Sequence, residues 1–469
     1  MNVPERYGIT GWVLIITSAL CIFPFLILCA YWHPVGTHAV DWISNWGGKY
    51  DTVEWWSQQF DWYTTTMGRY SSTALLSTVE GWYRLSTARL VVLLLHLGLG
   101  AALFFLISSC IRGMSVRWAA TLTVLALYLS QLSNPYDSMY RLTGLFIYQT
   151  GLIGTLVLAG LLWQGRLLLA LPVIVWTVGT NEISLLHSGL LVGAYCILKP
   201  ASLRGPKGWA LVATTVICAA VALLAPGNWV RAELYTSPTS SLGALIGLTL
   251  ASGLYLLVSW ISSTTLLPLL VLVAGLGPRI QLSGQQQAIA LGMALILPML
   301  SVAPVLFATR GDSLPEGITD WLIIPTVLLL GILALSFPQP RISPAVAMAL
   351  AVFVGGANIL GGLGIDRGRQ RGLVSPVDRV VVASPPGAAW LQLATGKAQR
   401  YGRSVQRQYD TILACEAGDC SVPPIAEPAT FLYDASYDRR TGPHGDAWFG
   451  YLVNRPDVIV HSSPPTTVN

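Results

Sequence analysis

Ionisable side chains are scarce in this chain, and where they occur they sit among aromatic rings. Between residues 32 and 87 the pattern runs His-Ala-Val-Asp-Trp around Asp41, then Lys-Tyr-Asp-Thr-Val-Glu-Trp-Trp around Asp51 and Glu54. It continues as Phe-Asp-Trp-Tyr-Thr-Thr-Thr-Met-Gly-Arg-Tyr from Phe60 to Tyr70, with Asp61 and Arg69 inside it. Rings can stack on the CH faces of a sugar while carboxylates accept its hydroxyl hydrogen bonds, so this loop suits a saccharide cleft. The same mixture suits a segment lying on lipid headgroups.

Four further clusters interrupt the apolar sequence. Asn-Pro-Tyr-Asp-Ser-Met-Tyr-Arg-Leu-Thr-Gly (134–144) carries Asp137 and Arg141 and leads into Tyr148 and Gln149. Asp137 and Arg141 are four residues apart, the spacing of an ion pair on one helical turn. Gly-Thr-Asn-Glu (179–182) places Asn181 and Glu182 between two apolar runs. Glu182 is the most isolated carboxylate there, and it could serve a ligand or cap a helix start. His187, five residues on, reads as a satisfied core histidine. Ala-Pro-Gly-Asn-Trp-Val-Arg (225–231) supplies Asn228 and Arg231, and Ala-Thr-Arg-Gly-Asp supplies Arg310. Guanidinium is permanently charged and holds phosphate through paired donors. Arg69, Arg141, Arg231 and Arg310 therefore form a candidate site for a lipid phosphate; snorkelling or local ion pairs is the plainer reading of each.

The elements that must position these groups follow from composition. Of 469 residues, 53% are hydrophobic and 10% charged, and mean hydropathy is +0.60. Soluble domains carry about 25% charged residues, so soluble, disordered, collagenous and disulfide-scaffold classes are excluded. An all-α polytopic membrane protein remains. Apolar runs predict about eleven transmembrane helices: Gly11 to Tyr31, 88–111, 117–133, 143–163, 167–180, 183–198, 209–225, 256–277, 287–308, 319–336 and 343–361. Residues 238–277 are read as an interfacial helix at about 240–253 followed by one span, rather than as two spans. The transmembrane core then covers 1–361, with a large outer loop at 32–87. Residues 362–469 form a soluble tail, read as a small α/β domain from Val380–Val382, Ala429–Tyr433, Val458–Val460 and a helical stretch near 388–408.

Orientation comes from the connections. One set holds nine cations (Arg6, Arg112, Arg117, Arg166, Lys199, Arg204, Lys207, Arg279 and Arg341) against the single acid Glu5. The other set, before residue 362, holds seven cations against eleven acids. The positive-inside rule puts the first set, and the N-terminus, in the cytoplasm and the tail outside. A non-cytoplasmic tail favours a disulfide between Cys415 and Cys420, which bracket four residues. The other cysteines lie in apolar stretches and read as small hydrophobes. No basic run with interleaved rings points to nucleic acid.

Taken in order, these segments resemble the GT-C membrane glycosyltransferases, and most closely a bacterial GT-C-like family. The likeness rests on an acid shortly after the first helix (Asp41), Gly68-Arg69-Tyr70, Tyr140-Arg-Leu-Thr-Gly through Tyr148, Gly179 through Glu182, and Ala225 through Arg231. It covers most of residues 10–310. It implies a multi-pass protein of a bacterial inner membrane, with a periplasmic tail, that transfers a monosaccharide from a polyprenyl-phosphate donor to a glycan or glycolipid acceptor with inversion. Asp41 would be the general base. Members of that family often carry two adjacent acids there, whereas Val40 precedes Asp41, so Asp51 and Asp61 stand beside it as candidates. Arg69, Arg141, Arg231 and Arg310 would hold the donor phosphate, and Tyr70, Asp137, Tyr148, Asn181, Glu182 and Asn228 would line the substrate site. No cofactor is called for; a divalent cation is compatible with the family, although no ligand cluster argues for one. The competing readings are a transporter or flippase of a lipid-linked substrate and an envelope glycan polymerase or ligase.

Overall fold

The computed structural model describes residues 8–32, 52–65, 67–80, 85–133, 135–234, 241–261, 265–276, 280–308, 320–337, 342–360, 362–365, 379–382, 384–416, 418–422 and 458–462. These residues are mostly helical. Among the described residues six helices are long and apolar enough to cross a bilayer: α1 (Gly8–Leu28), the Arg89–Cys110 part of α4 (Leu85–Cys110), α7 (Leu142–Trp163), α10 (Pro206–Leu223), α12 (Leu242–Ile261) and α14 (Gly284–Ala308). Shorter apolar helices pack among them: α5 (Met114–Ser130), α8 (Leu167–Val178), α9 (Glu182–Leu198), α13 (Leu266–Leu276), α15 (Ile323–Ser336) and α16 (Pro344–Leu360). Between α1 and α4 lie α2 (Thr52–Thr65) and α3 (Tyr70–Glu80); α6 (Pro135–Met139) precedes α7, and α11 (Pro226–Leu234) follows α10.

Helix α1 shows why this assembly belongs in lipid. Its exposed residues Ile9, Trp12, Ile16, Leu20, Phe23 and Ile27 recur every three or four positions, a single stripe of large apolar side chains. Its buried face holds Thr10, Ser18, Cys21, Pro24, Phe25 and Leu28. The outward face is thus the more apolar one, which only a hydrocarbon surrounding makes favourable. Helices α4 and α12 repeat the pattern, with Leu90, Leu94 and Leu97 exposed on α4 and Leu250, Leu254 and Val258 on α12.

Residues 238–277 differ from the sequence reading. Leu242–Ile261 is one continuous helix, and a second helix occupies Leu266–Leu276. Leu-Leu-Pro at 266–268 is compatible with this division, because a proline in a first helical turn sacrifices no backbone hydrogen bond.

After α16 the described residues form two short ladders and two helices. Strand β1 (Gly362–Ile365) pairs antiparallel with β2 (Arg379–Val382), and β3 (Gly418–Val422) pairs parallel with β4 (Val458–Ser462). The expected strand at Ala429–Tyr433 lies outside the described residues. The helical stretch near 388–408 is two helices, α17 (Pro385–Ala394) and α18 (Lys397–Ala414), and Cys415 is disulfide-bonded to Cys420 just beyond.

The tail helices join the bundle through a proline. Pro24 has no N–H, so the Leu20 carbonyl four residues earlier loses its helical partner. The indole N–H of Trp390 on α17 donates to that carbonyl at 2.7 Å. Ser384 Oγ donates to the carbonyl of Ile359 on α16. Ala389, Ala398, Tyr401, Val405 and Ile412 extend the same buried core that holds Phe25 and Trp32. The tail helices and the C-terminal half of α1 therefore meet at one end of the bundle.

Candidate functional site

That same end gathers the polar motifs. Glu182 is the first residue of α9. Asn181 is the cap: its Oδ1 accepts from the Ser184 N–H at 2.9 Å, while its Nδ2 donates to the Ile147 carbonyl at 2.7 Å. With Asn181 satisfying the helix start, the Glu182 carboxylate is left to a partner from elsewhere.

The partner is Arg69, in the turn between α2 and α3. Arg69 Nε donates to Glu182 Oε1 at 3.2 Å and Oε2 at 3.1 Å, and Nη2 donates to Oε2 at 2.8 Å. The side chains are 14% and 24% exposed. This is a forked, charge-assisted pair across 113 residues of sequence. Burial works against the charge on Arg69, but Glu182 and Tyr148 together outweigh it and hold the guanidinium pKa above its ordinary value.

An aromatic platform completes the group. The Arg69 guanidinium carbon lies 5.8 Å from the centroid of the Tyr148 ring, a cation–π contact. Tyr148 stacks on Trp321 with centroids 5.1 Å apart and planes 22° from parallel. Tyr148 belongs to a π-helical turn, Leu145–Gln149, inside α7. Such turns shift a helix's side-chain register and recur at functional sites. Trp321 Nε1 is buried with no hydrogen-bond partner among the described residues.

Beside Trp321 lies Asp320, fully buried at 0% exposure. It accepts from the Ser133 N–H and Ser133 Oγ, each at 2.9 Å, and from Ser138 Oγ at 2.7 Å. These donors bind the start of α15 to the end of α5 and to α6. In the sequence Asp320 registers only as one acid in a charge tally. Its position at the edge of an apolar span was the available signal.

Several expected ligand residues have polar atoms engaged within the fold. Asn228 on α11 accepts the Gly68 N–H at 3.0 Å and donates to the Ala222 carbonyl at 2.8 Å. A Cβ on Gly68 would collide with the Ala222 carbonyl oxygen, so the turn carrying Arg69 approaches α10 only because residue 68 is glycine. Tyr70 OH donates to the Val175 carbonyl at 3.0 Å, and the Ser71 N–H donates to the Gly179 carbonyl at 2.9 Å. A Cβ on Gly179 would strike the Tyr70 ring. Tyr70, Asn181 and Asn228 thus direct polar atoms at the chain's own backbone. His187, as read, is a satisfied core residue, with Nε2 2.8 Å from Ser301 Oγ.

The remaining candidates divide by what is described. Asp61 lies exposed on α2. Arg141 occupies the extended turn before α7, with its carbonyl accepting the Leu145 N–H at 2.9 Å. Asp137 and Arg231 are placed by backbone on α6 and α11, and their side chains lie outside the described residues, as do Asp41, Asp51 and Arg310 altogether. The expected Asp137–Arg141 pair therefore also lies outside them. Near Asp61, Trp56 and Phe60 on α2 and Trp229 on α11 are 67%, 69% and 67% exposed. These are rings suited to a lipid–water boundary. Among the described residues no group of three or more His, Cys, Asp or Glu side chains gathers that could hold a cation. Comparison with family models, curated proteins and solved structures finds no match.

Proposed function

We propose that the chain is a membrane glycosyltransferase of the GT-C kind, acting at the outer face of a bacterial inner membrane. Its donor is a polyprenyl-phosphate monosaccharide and its acceptor a cell-envelope glycan or glycolipid. The observation that carries this reading is the meeting of four sequence-distant segments at one bundle end: Gly68–Tyr70, Tyr148, Gly179–Glu182 and Asn228. They belong to the segments on which the resemblance rests, Asp41 apart.

In this reading Arg69 receives the departing lipid phosphate and stabilises its growing charge. Glu182 aims the guanidinium and Tyr148 supports its face. A first-loop carboxylate, Asp41, Asp51 or Asp61, deprotonates the acceptor hydroxyl as it attacks the anomeric carbon from the side opposite the phosphate, which inverts the centre. Exposed Trp56, Phe60 and Trp229 hold this end at the headgroup level. The periplasmic side of this end follows from the cation imbalance of the connections, and the tail shares that side because α17 and α18 pack against this end; both belong to the same proposal. A transporter would carry its polar groups near the bilayer midplane. The Arg69–Glu182 pair, the Tyr148–Trp321 stack and Asp320 share one end instead.

The test is incubation of the purified protein with a panel of polyprenyl-phosphate sugars and an envelope glycolipid acceptor, scoring released polyprenyl phosphate. Release that requires Arg69 supports the assignment. No release from any donor, or equal release by Arg69→Lys, overturns it.

A further inference from the structure

At the opposite end of the bundle, α1, α4, α5, α13 and α15 enclose a cavity of about 520 Å³. Its lining starts at the first turn of α1 (Gly8, Gly11) and the α4–α5 turn, and reaches Leu335 in the last turn of α15. The volume is that of a ligand pocket, about 300–1,000 Å³. The walls are aliphatic, including Leu14, Ile107, Val273 and Leu328, and a polar ligand would find almost nothing to hydrogen-bond.

Two features bear on what this space could hold. Gly331 sits in the middle of α15 among aliphatic residues, and a Cβ added there meets nothing within 4 Å. A glycine inside a helix costs about 1 kcal/mol relative to alanine, and here no neighbouring helix uses the room it leaves. The second feature is charge. Among the described residues Arg112 is the one charged side chain lining the cavity, and it is exposed at the rim. Arg117, on the same turn, donates through Nε to the Ile111 carbonyl at the end of α4, at 2.8 Å. In sequence, Arg6 and Arg279 flank the lining segments that begin at Gly8 and Ile280, and Glu5 is the lone acid of this set of connections.

We infer that this cavity is a binding site for an anionic glycerophospholipid of the surrounding leaflet, with one acyl chain between α1, α5 and α15 and the phosphate at Arg112. An aliphatic, half-open space takes a hydrocarbon chain, and a guanidinium at its mouth takes a phosphate. The site is separate from the Arg69 end and does not depend on the transferase reading.

The experiment is native mass spectrometry of the full chain in mild detergent, followed by delipidation and addition of phosphatidylglycerol or phosphatidylcholine in mixed micelles. The wild type should retain one phospholipid and favour phosphatidylglycerol at least fivefold. Gly331→Phe, whose ring enters open space, should lose the retained lipid while keeping a monodisperse, cooperatively melting fold. Arg112→Gln, at an exposed position, should keep lipid but lose the preference. Equal retention of both lipids by the wild type, or undiminished lipid on folded Gly331→Phe, overturns the inference. Should Gly331→Phe fail to fold, the preference lost or kept in Arg112→Gln decides it.

Discussion

Arg69 and Glu182 illustrate how one pair can serve structure and chemistry together. Lysine at position 69 would keep the charge and lose the forked geometry. If Arg69 stabilises the leaving phosphate, Arg69→Lys should lower the transfer rate by about 10²–10³-fold and change the melting temperature little. Glu182→Gln leaves the guanidinium charged and less well aimed, so a fall of about 10²-fold is expected. Rates from the phosphate-release assay, read beside melting curves, separate these effects from unfolding. Asp320 belongs to a different category, because three donors converge on it and the expected consequence is stability. Asp320→Asn turns an amide N–H₂ toward hydroxyl and backbone donors and should cost about 1–3 kcal/mol. A melting temperature equal to the wild type would refute that role.

At the scale of elements, the site depends on close approaches that glycine and asparagine make possible. Gly68 brings the α2–α3 turn against the Ala222 carbonyl, and Asn228 holds it there. Gly68→Ala must push the turn away, at about 1–3 kcal/mol. Because Arg69 is the next residue, activity should fall further than stability predicts. The docking of α17 is governed by Pro24. Trp390→Phe keeps the ring and removes the donor to the Leu20 carbonyl. The Leu20 carbonyl then loses the donor that replaces its missing helical partner, and limited proteolysis should cut the chain between α16 and α18 faster than in the wild type. An unchanged cleavage rate would show that the hydrogen bond does not hold the tail.

At the scale of the whole molecule, the two ends differ in chemistry. One carries the ion pair, the stacked rings and the interfacial aromatics; the other carries Arg112, Arg117 and an aliphatic cavity. Cys21, Cys29 and Cys218 are buried, and Cys110 and Cys196 are half-buried. In a background with Cys110 and Cys196 replaced, a cysteine at position 61 should label with an impermeant maleimide from the periplasmic side of intact cells. A cysteine at position 112 should label only after permeabilisation. Labelling of both from one side would contradict the proposed orientation.

Membrane class and most helix positions were legible because long apolar runs with few charges admit no soluble alternative. The motifs around Arg69, Tyr148, Glu182 and Asn228 were legible as departures from that pattern. Their roles were not. Whether a polar side chain faces a ligand or its own backbone depends on which distant carbonyl or carboxylate it meets, and local spacing carries no record of that. Asn181 and Glu182 are neighbours in sequence, yet one caps α9 and the other binds Arg69. The division of 238–277 into the helices Leu242–Ile261 and Leu266–Leu276, the use of the Leu20 carbonyl by Trp390, and the burial of Asp320 were likewise decided by packing. Local sequence determined which segments enter lipid, since transfer free energy sums residue by residue. Only the tertiary structure determined which polar groups are satisfied and by whom, since a hydrogen bond needs two partners that the chain brings together from far apart.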